Sequence, residues 1–421
     1  MFNETIFLDK IINYLDNQFF NCTSNIKENI FEIESILYFK EKYAVSTGLD
    51  KENYKSIYYF IFEEYIDKLL LPLNNKIKNS MKEKRFKVSE FNNLISLEEL
   101  ELALNQQVNI KKDLKILAST ILNTEINDLY LEKWKFIQKI SKKIFGLSYL
   151  EIYKEYYGDI IENIYQQKKE VLELIKRKIS TQPKVIIQAD LKIESIIERI
   201  EDETKKLGLV CNFRDITQKL EKDKFTMYYS YKKDKILVEL KLPRNYEDLL
   251  KIWHEYGHVV HYQNMDKSLP FALMKLNNLH NMEGVALYYQ FMCNDSNKQA
   301  YDFKIYEMLW WTFIEFFSIY EWLDFNMKKN INDIFVNNLK MVFEKVPTYP
   351  CPIRYFHKGF KSFRYILGLF LACNLKQIFY EDPQKFENIL KDIMFHGGIN
   401  NNSDLIYKGL KNTLKQTIER H

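Results

Sequence analysis

Two histidines and a glutamate in one short stretch, His254-Glu255-Tyr256-Gly257-His258, are the residues of this sequence best suited to chemistry. On an α-helix, residues four apart lie about one turn apart on the same face, so the imidazoles of His254 and His258 can converge on one metal ion. Glu255 follows the first histidine and can reach a water molecule beside that ion. This HExxH pattern predicts a zinc site in which Glu255 is the catalytic base.

A third ligand is needed, because a catalytic zinc ion takes three protein ligands and leaves a fourth position open. Between Tyr256 and Tyr306 the sequence contains a single glutamate, Glu283, which lies 25 residues after His258. That separation allows a loop and a return along a second helix. Glu283 also opens an apolar run up to Met292 with helical periodicity. We therefore predict Glu283 as the third zinc ligand.

Other polar residues near this cluster are weaker candidates. Asp266 is closer to the histidines in sequence but follows the expected end of their helix. His261 lies one further turn along that helix, and His280 lies three residues before Glu283, so either can support a ligand instead of binding the metal. The alternative in which the cluster is only structural is disfavoured, since it leaves two histidines and a glutamate together without a role.

The cluster is expected to lie on an amphipathic helix that begins near Tyr246. Pro243 ends the preceding strand, Asn245 is a favourable N-cap residue, and Asp248 places a negative charge in the first turn. Apolar residues at helical spacing indicate the face that packs against the core: Leu249, Leu250, Trp253, Tyr256 and Val260. The histidines occupy the other side of the helix.

A β-hairpin is predicted over residues 226–241, immediately before this helix. Met227 and Tyr229 alternate with other side chains, the polar stretch 232–234 suits a turn, and residues 235–241 form a second run with apolar positions. The hairpin interrupts a chain that is otherwise helical in pattern.

Most of the remaining sequence is predicted to form helices. From residue 5 to about 207, apolar residues recur at spacings of three and four, and Gly and Pro are scarce, at 11 and 8 of 421 residues. Thr181-Gln182-Pro183 interrupts this pattern. We expect a mostly α protein in which a helical N-terminal region, 1–180, and a zinc-binding catalytic region, 181–421, flank a substrate groove. A small β-hairpin or edge sheet precedes the HExxH helix.

Composition and charge exclude several function classes. Lys and Arg number 61 against 57 Asp and Glu, so the net charge of +4 predicts no surface for nucleic acid. No apolar run approaches the ~20 residues that a membrane-spanning helix needs. The N-terminus, MFNETIFLDK, lacks the basic start of a secretory signal, which predicts a cytoplasmic location. The five scattered cysteines are expected to be reduced.

The zinc cluster resembles that of the gluzincin-type zinc peptidases, in which HExxH and a distant glutamate bind zinc. The run HEYGHVVH from His254 is similar to the HEFGHALH-type motif of the thimet oligopeptidase and oligoendopeptidase F family. The separation of Glu283 suits that family and is close to that in the angiotensin-converting enzyme and carboxypeptidase Taq (M32) families. The run EGVALYYQ is similar to an EGWALYAE-type segment of another gluzincin family. The resemblance covers about 226–375 and implies a zinc peptidase.

A second resembling stretch runs from Arg354 to Gly368. It is similar to the C-terminal helix of these families, where a His and one or two Tyr bind the substrate carbonyl and the oxyanion. Arg364 and Tyr365 fall where the converting-enzyme family has an Arg-Tyr pair. The resemblance therefore implies that Tyr365 donates to the oxyanion and that Arg364 binds substrate.

The same resemblance implies further substrate contacts. His357 is a candidate to assist the oxyanion, and Tyr355 lies nearer the position of the family histidine, so the choice between them stays open. The strand 235–241 is placed like the edge strand of these families, which pairs with extended peptide backbone. Val238 and Leu240 are therefore expected to contact the substrate.

The sequence thus predicts a zinc-dependent peptidase that hydrolyses unstructured peptides, with a peptide as its partner and without nucleic acid or a membrane. Two alternatives remain. The chain is shorter than most relatives of these families, which suits a dedicated peptidase for one leader or signalling peptide. A catalytically inactive, zinc-containing helical binding protein is the other. Cleavage specificity, endo- or exo-action and oligomeric state do not follow from the sequence.

Overall fold

Helices dominate the computed structural model of the protein, so the predicted mostly α fold class is confirmed. The structure describes residues 2–19, 30–83, 85–87, 94–96, 99, 112–180, 192–221, 224–276, 279–293, 302–343, 360–396 and 403–418. In chain order the helices are α1 (Glu4–Phe19), α2 (Ile33–Val45), α3 (Gly48–Glu83), α4 (Lys112–Phe145), α5 (Tyr149–Tyr157), α6 (Asp159–Gln166), α7 (Lys168–Ser180), α8 (Ile193–Lys206), α9 (Tyr246–Gln263), α10 (Phe271–Lys275), α11 (Leu279–Met292), α12 (Asp302–Asp324), α13 (Ile331–Val342), α14 (Phe363–Glu381), α15 (Pro383–Phe395) and α16 (Ser403–Ile418). The strands are β1 (Arg85–Phe86), β2 (Ile95–Ser96), β3 (Thr217–Leu220), β4 (Thr226–Ser230) and β5 (Lys235–Leu240).

The HExxH helix, α9, begins at Tyr246 as predicted. The Asn245 side chain accepts a hydrogen bond of 2.9 Å from the Asp248 backbone N–H, which satisfies one of the free N–H groups of the first turn. The buried Asp248 carboxylate in turn accepts from the Arg244 backbone N–H at 2.9 Å and from the Lys241 ammonium at 3.2 Å. These bonds fix the start of α9 against the end of β5.

The predicted hairpin is confirmed as the antiparallel pair β4 and β5, in which Met227 lies opposite Val238. A third strand, β3, was not predicted. It pairs with β5 in parallel, so the strand order is β3, β5, β4. All four residues of β3 are exposed, and the segment therefore lacks the apolar alternation from which a strand is usually recognised.

The expectation that residues 235–241 form an edge strand is wrong. Strand β5 is the centre of the sheet, because β3 and β4 occupy its two edges and use its backbone hydrogen-bonding groups. Val238 and Leu240 are buried, at 0% and 1% exposure. Neither residue can pair with a substrate backbone as the sequence analysis expected.

Three helices, α9, α11 and α14, pack at unusually short range through glycines. A Cβ atom on Gly257 would lie 2.7 Å from Cα of Ala286, which brings α9 close to α11. A Cβ on Gly284 would meet the Leu371 side chain at 2.6 Å, and a Cβ on Gly368 would meet Cβ of Glu283 at 2.8 Å, so α11 and α14 also touch closely. Side chains at these positions would push the helices apart.

The chain divides into two compact units. The first comprises residues 1–62, 177–310 and 363–421, and it contains the sheet with β3 to β5 and the helices α9, α11 and α14. The second comprises residues 63–176 and 311–362. The boundary predicted near residue 180 adjoins residues 181–191, which lie outside the described residues, so the division into 1–180 and 181–421 stays a prediction.

The second unit has its own core and a partly buried ionic cluster of Lys361, Glu63 and Asp67. Trp134 packs edge-on against Tyr149 and Trp322, with ring centroids 5.7 and 6.0 Å apart. The Lys361 ammonium lies 2.9 Å from the Glu63 carboxylate. The cluster satisfies charges that burial would otherwise disfavour.

The sequence also predicts that the chain contains no membrane-spanning helix and that its cysteines are reduced. No helix among the described residues is long and apolar enough to cross a membrane. Cys211, Cys293 and Cys373 carry free thiols. The remaining two cysteines, Cys22 and Cys351, lie outside the described residues.

Candidate active site

The three side chains predicted as zinc ligands converge in the first unit. Glu283 Oε2 lies 3.3 Å from His254 Nε2 and 3.7 Å from His258 Nε2. Among the described residues, this is the one group of His, Cys, Asp and Glu whose potential ligand atoms lie close enough to share an ion, all within 4.8 Å of one another. The three side chains are between 7% and 13% exposed. The convergence requires α9 and α11 to be correctly placed, and α14 adds Arg364 and Tyr365 beside them.

Each helix contributes a defined part of this arrangement. His254 and His258 lie one turn apart on α9, with ring centroids 4.7 Å apart. Glu283 lies in the first half of α11, and the glycine beside it allows α14 to pack closely against that turn. Arg364 and Tyr365 belong to the first turn of α14. The site is therefore built on regular elements instead of loops, which favours precise positioning.

The charges at the site favour the metal-binding forms of Glu283 and His258. At His254, burial lowers the pKa of the imidazole, but the Glu283 carboxylate outweighs burial and raises it. Burial opposes ionisation of Glu283, but the interaction with His254 and the nearby His258 and Arg364 outweigh burial and hold the pKa of its carboxyl at about 2. Burial lowers the pKa of His258 to about 3. At neutral pH the carboxylate is therefore ionised and the His258 imidazole is neutral, which are the forms that bind a metal ion.

Glu255 lies beside the ligands but does not join them. Burial is the largest influence on its carboxyl and raises its pKa; the nearby His254 and the Met227 backbone oppose this, and the Glu283 charge adds to it. A raised pKa suits a carboxylate that must accept a proton and return it. The influence of Met227 indicates that β4 lies near this carboxylate.

Arg364 connects the third ligand candidate with Tyr365. Its Nε lies 3.3 Å from Glu283 Oε1, and its Nη2 donates a hydrogen bond of 3.1 Å to the Tyr365 hydroxyl. The Glu283 charge, together with burial, raises the pKa of Tyr365. The Tyr365 hydroxyl therefore keeps its proton at neutral pH and is available as a donor.

A cavity of about 330 Å³ opens beside these groups. His254, Glu255 and Tyr365 all line it, so the candidate base, one candidate ligand and the candidate oxyanion donor face the same space. This is the arrangement that hydrolysis of a bound carbonyl compound requires.

Not every predicted site residue is placed here. Val238 and Leu240 lie in the centre of the sheet, as described above. His357 and Tyr355 lie outside the described residues, and their roles stay predictions. The glycine contacts between the helices and the position of Met227 near Glu255 were not predicted from the sequence. A glycine in a helical segment of sequence indicates only a lower helix propensity and not a close helix contact. The position of a backbone N–H cannot be predicted from residue types, because every residue except proline has one.

Comparison with known proteins identifies the fold. No protein-family model matches the sequence, and no curated protein matches it. Among solved structures, an oligoendopeptidase F matches with a TM-score of 0.61 and 13% identity over 99% of this chain and 84% of its own. An M32 carboxypeptidase from Deinococcus radiodurans R1 matches with a TM-score of 0.57 and 10% identity, over 98% and 95%. Pz peptidase A, solved with an inhibitor, matches with a TM-score of 0.55 and 12% identity, over 95% and 85%.

These matches extend over nearly the whole chain, whereas the sequence resemblance was confined to about 226–375. The neighbours are peptidases of the groups that the HExxH motif and Glu283 resemble, and the expected resemblance is confirmed at the level of the fold. The chain therefore has the fold shared by oligoendopeptidase F and the M32 carboxypeptidases.

Proposed function

We propose that the protein is a zinc-dependent peptidase that hydrolyses peptide bonds in unstructured peptides. The observation that carries the proposal is the convergence of His254, His258 and Glu283 beside Glu255 and Tyr365 at one cavity. The peptidase neighbours support the same class of reaction. The predicted cytoplasmic location remains part of this proposal.

The three side chains fit a zinc ion. Two imidazole nitrogens and one carboxylate oxygen are a common donor set for catalytic zinc, and tetrahedral ligands at about 2.0–2.1 Å from zinc lie about 3.3–3.4 Å from one another. The observed distances from Glu283 Oε2 to the two histidines, 3.3 and 3.7 Å, are close to this value, and all three ligand atoms lie within 4.8 Å of one another. When bound, zinc supplies Lewis-acid chemistry, which polarises a carbonyl and lowers the pKa of a water molecule.

The protein side chains would carry the proton transfers. Glu255 accepts a proton from the attacking water and later gives it to the amine that leaves. Tyr365 donates a hydrogen bond to the oxygen of the substrate carbonyl as negative charge develops there. Arg364 holds Glu283 and Tyr365 in place through its two contacts. This supports a positioning role for Arg364 in addition to the predicted contact with substrate.

The strand that pairs with the substrate backbone is better assigned to β4. Strand β4 is at the end of the strand order and near Glu255. One of its carbonyls, that of Tyr229, accepts a hydrogen bond of 2.9 Å from the Lys275 ammonium, so a peptide would pair with the remaining groups of this edge. An extended peptide beside β4 would lie next to the base, whereas β5 has both edges occupied. An unstructured peptide can adopt this extended form, but a folded protein would first have to unfold locally.

Turnover of a mixed peptide library tests the proposal. The zinc-loaded protein should cleave peptides, and both removal of the metal with a chelator and the His258→Ala variant should abolish cleavage. Mass spectrometry identifies the products. Cleavage of one peptide only would favour the dedicated peptidase. Zinc binding without any cleavage would contradict the proposal and favour the inactive binding protein.

A further inference from the structure

The cavity beside the proposed catalytic residues has a wall that the mechanism does not use. Beyond His254, Glu255 and Tyr365, it is lined by apolar side chains and two polar ones: Phe225, Leu287, Ile305, Met308, Leu309, Gln290 and Lys251. We propose that this cavity binds one substrate side chain next to the cleaved bond, and that Gln290 gives it a preference for tyrosine or tryptophan. The inference rests on the proposed function.

The position of the cavity links it to the cleaved bond. Glu255 and Tyr365 would act on the atoms of the scissile peptide group, and both line the cavity. A side chain that enters the cavity must therefore belong to a residue next to that bond. The volume of about 330 Å³ lies at the lower end of the ~300–1,000 Å³ typical of ligand pockets, so it suits one large side chain.

The lining favours a large apolar side chain. Leu287 and Ile305 belong to the core, and together with Phe225, Met308 and Leu309 they make the lining mostly apolar. Removing an aromatic side chain from water against such a surface is favourable. Small polar side chains would leave most of the cavity unfilled.

Gln290 adds a polar requirement. It is 2% exposed, and its Nε2 donates a hydrogen bond of 3.2 Å to the Leu250 carbonyl, which fixes the orientation of the amide. Its Oε1 is buried and has no hydrogen-bond partner among the described residues. A buried acceptor without a partner is unfavourable, so a ligand that brings a donor to this oxygen gains relative to one that does not.

The donor is better supplied by an aromatic side chain than by a cation. Lysine and arginine also carry donors at the end of a long side chain. The Lys251 ammonium, which pairs with Glu247 at 2.8 Å, also lines the cavity, and its charge repels a second cation. The tyrosine hydroxyl and the tryptophan indole N–H combine a donor with an apolar body. Phenylalanine has the body without the donor.

Binding of four matched peptides tests this preference independently of catalysis. Each is acetyl-Ala-Ala-Xaa-Ala-Ala-amide with Xaa as tyrosine, tryptophan, phenylalanine or lysine, so Xaa is the only large side chain. Zinc-loaded Glu255→Gln protein, titrated by calorimetry, should bind the tyrosine and tryptophan peptides about tenfold more tightly than the phenylalanine peptide, the size of an ordinary hydrogen-bond contribution. The lysine peptide should bind most weakly.

A second substitution in the Glu255→Gln protein tests whether Gln290 is the cause of the preference for tyrosine and tryptophan. Added to Glu255→Gln, Gln290→Met should remove the difference between tyrosine and phenylalanine, while Gln290→Glu should strengthen binding of the lysine peptide. Gln377→Met is a matched control, because Gln377 is a partly exposed residue of α14 that bonds Glu381 and does not line the cavity. It should retain the preference for tyrosine.

The outcomes separate this inference from the proposed function. Equal binding of the tyrosine and phenylalanine peptides, or a preference that survives Gln290→Met, would overturn the inference even if the wild-type protein cleaves the peptides next to Xaa. A preference that depends on Gln290, in a wild-type protein that cleaves none of the peptides, would support the pocket and contradict the peptidase proposal.

Discussion

Glu283 makes more contacts within the candidate site than any other ligand candidate, because it meets both histidines through Oε2 and Arg364 through Oε1. We predict that Glu283→Ala lowers zinc affinity by more than about 100-fold, since even residues that only support a ligand account for about 10–100-fold. Competition with a chelating zinc indicator measures the affinity. Glu255→Gln is the control and should bind zinc as the wild type does. Unchanged affinity in Glu283→Ala would rule out this residue as a ligand.

Tyr365 provides the second test at the scale of single residues. Tyr365→Phe keeps the ring and removes only the hydroxyl that bonds to Arg364 and lines the cavity. We expect kcat to fall by ~10²–10³, because the lost donor acts mainly when charge develops on the substrate oxygen. Steady-state kinetics on a short peptide measures this. An effect confined to KM would show that Tyr365 binds the ground state only.

The proposed zinc ligands could be predicted from the sequence because residue type and spacing alone indicate them. His254 and His258 are one helical turn apart, and Glu283 is the single glutamate available at a suitable distance. Arg364 was assigned to substrate from resemblance alone. Its contact with Glu283 depends on how α14 meets α11, which spacing along the chain does not specify.

At the scale of elements, the candidate site depends on how closely three helices approach. Gly368 is the sharpest case, since a Cβ there would lie 2.8 Å from Cβ of Glu283 and 2.9 Å from the backbone N of Gly284. Backbone and Cβ atoms cannot rotate away as the end of a flexible side chain can. The distance between α11 and α14 is therefore determined by the contact of Gly368 with Glu283, the proposed third ligand.

We predict that Gly368→Ala destabilises the protein by about 1–3 kcal/mol and weakens zinc binding, because α14 must move away from Glu283. Thermal unfolding and zinc titration measure the two effects. Gly146→Ala is the control for a glycine substitution that involves no helix contact, because Gly146 has a φ of +72° and open space around it. It should cost stability through backbone strain and leave zinc affinity unchanged. Wild-type zinc affinity in Gly368→Ala would contradict the helix-packing account.

The elements show where sequence patterns succeed and fail. The start of α9 was predictable because Asn245 and Asp248 are capping residues whose effect is local. Strand β3 was not predictable, because its exposed residues have no apolar alternation and its pairing with β5 is a tertiary contact. The resemblance to the peptidase families placed residues 235–241 as an edge strand, and without β3 the sequence did not indicate that both edges of β5 are occupied, so Val238 and Leu240 were expected to contact substrate.

At the scale of the whole molecule, the ligand candidates belong to one of the two compact units. His254, His258, Glu283 and Arg364 all lie in the unit formed by 1–62, 177–310 and 363–421. That unit combines three separate stretches of sequence, so its parts can assemble only when distant regions of the chain have come together. A pattern break such as the one at Thr181 does not reveal a discontinuous unit.

We predict that zinc raises the thermal stability of this unit, because an ion that binds the folded state only contributes about 2.7 kcal/mol at a free concentration 100 times Kd. Differential scanning calorimetry with and without zinc measures the shift. His258→Ala should unfold at the same temperature under both conditions. A shift of equal size in His258→Ala would place the stabilising zinc at some other site.

The central claim is that Glu255 performs chemistry on a substrate held at the His254, His258 and Glu283 site. The most direct measurement is single-turnover hydrolysis of a short peptide by wild-type protein and by Glu255→Gln, each with its zinc content determined. We predict equal zinc content and a fall of several orders of magnitude in the hydrolysis rate of Glu255→Gln, since the amide cannot accept the proton from water. Equal rates at equal zinc content would contradict the account.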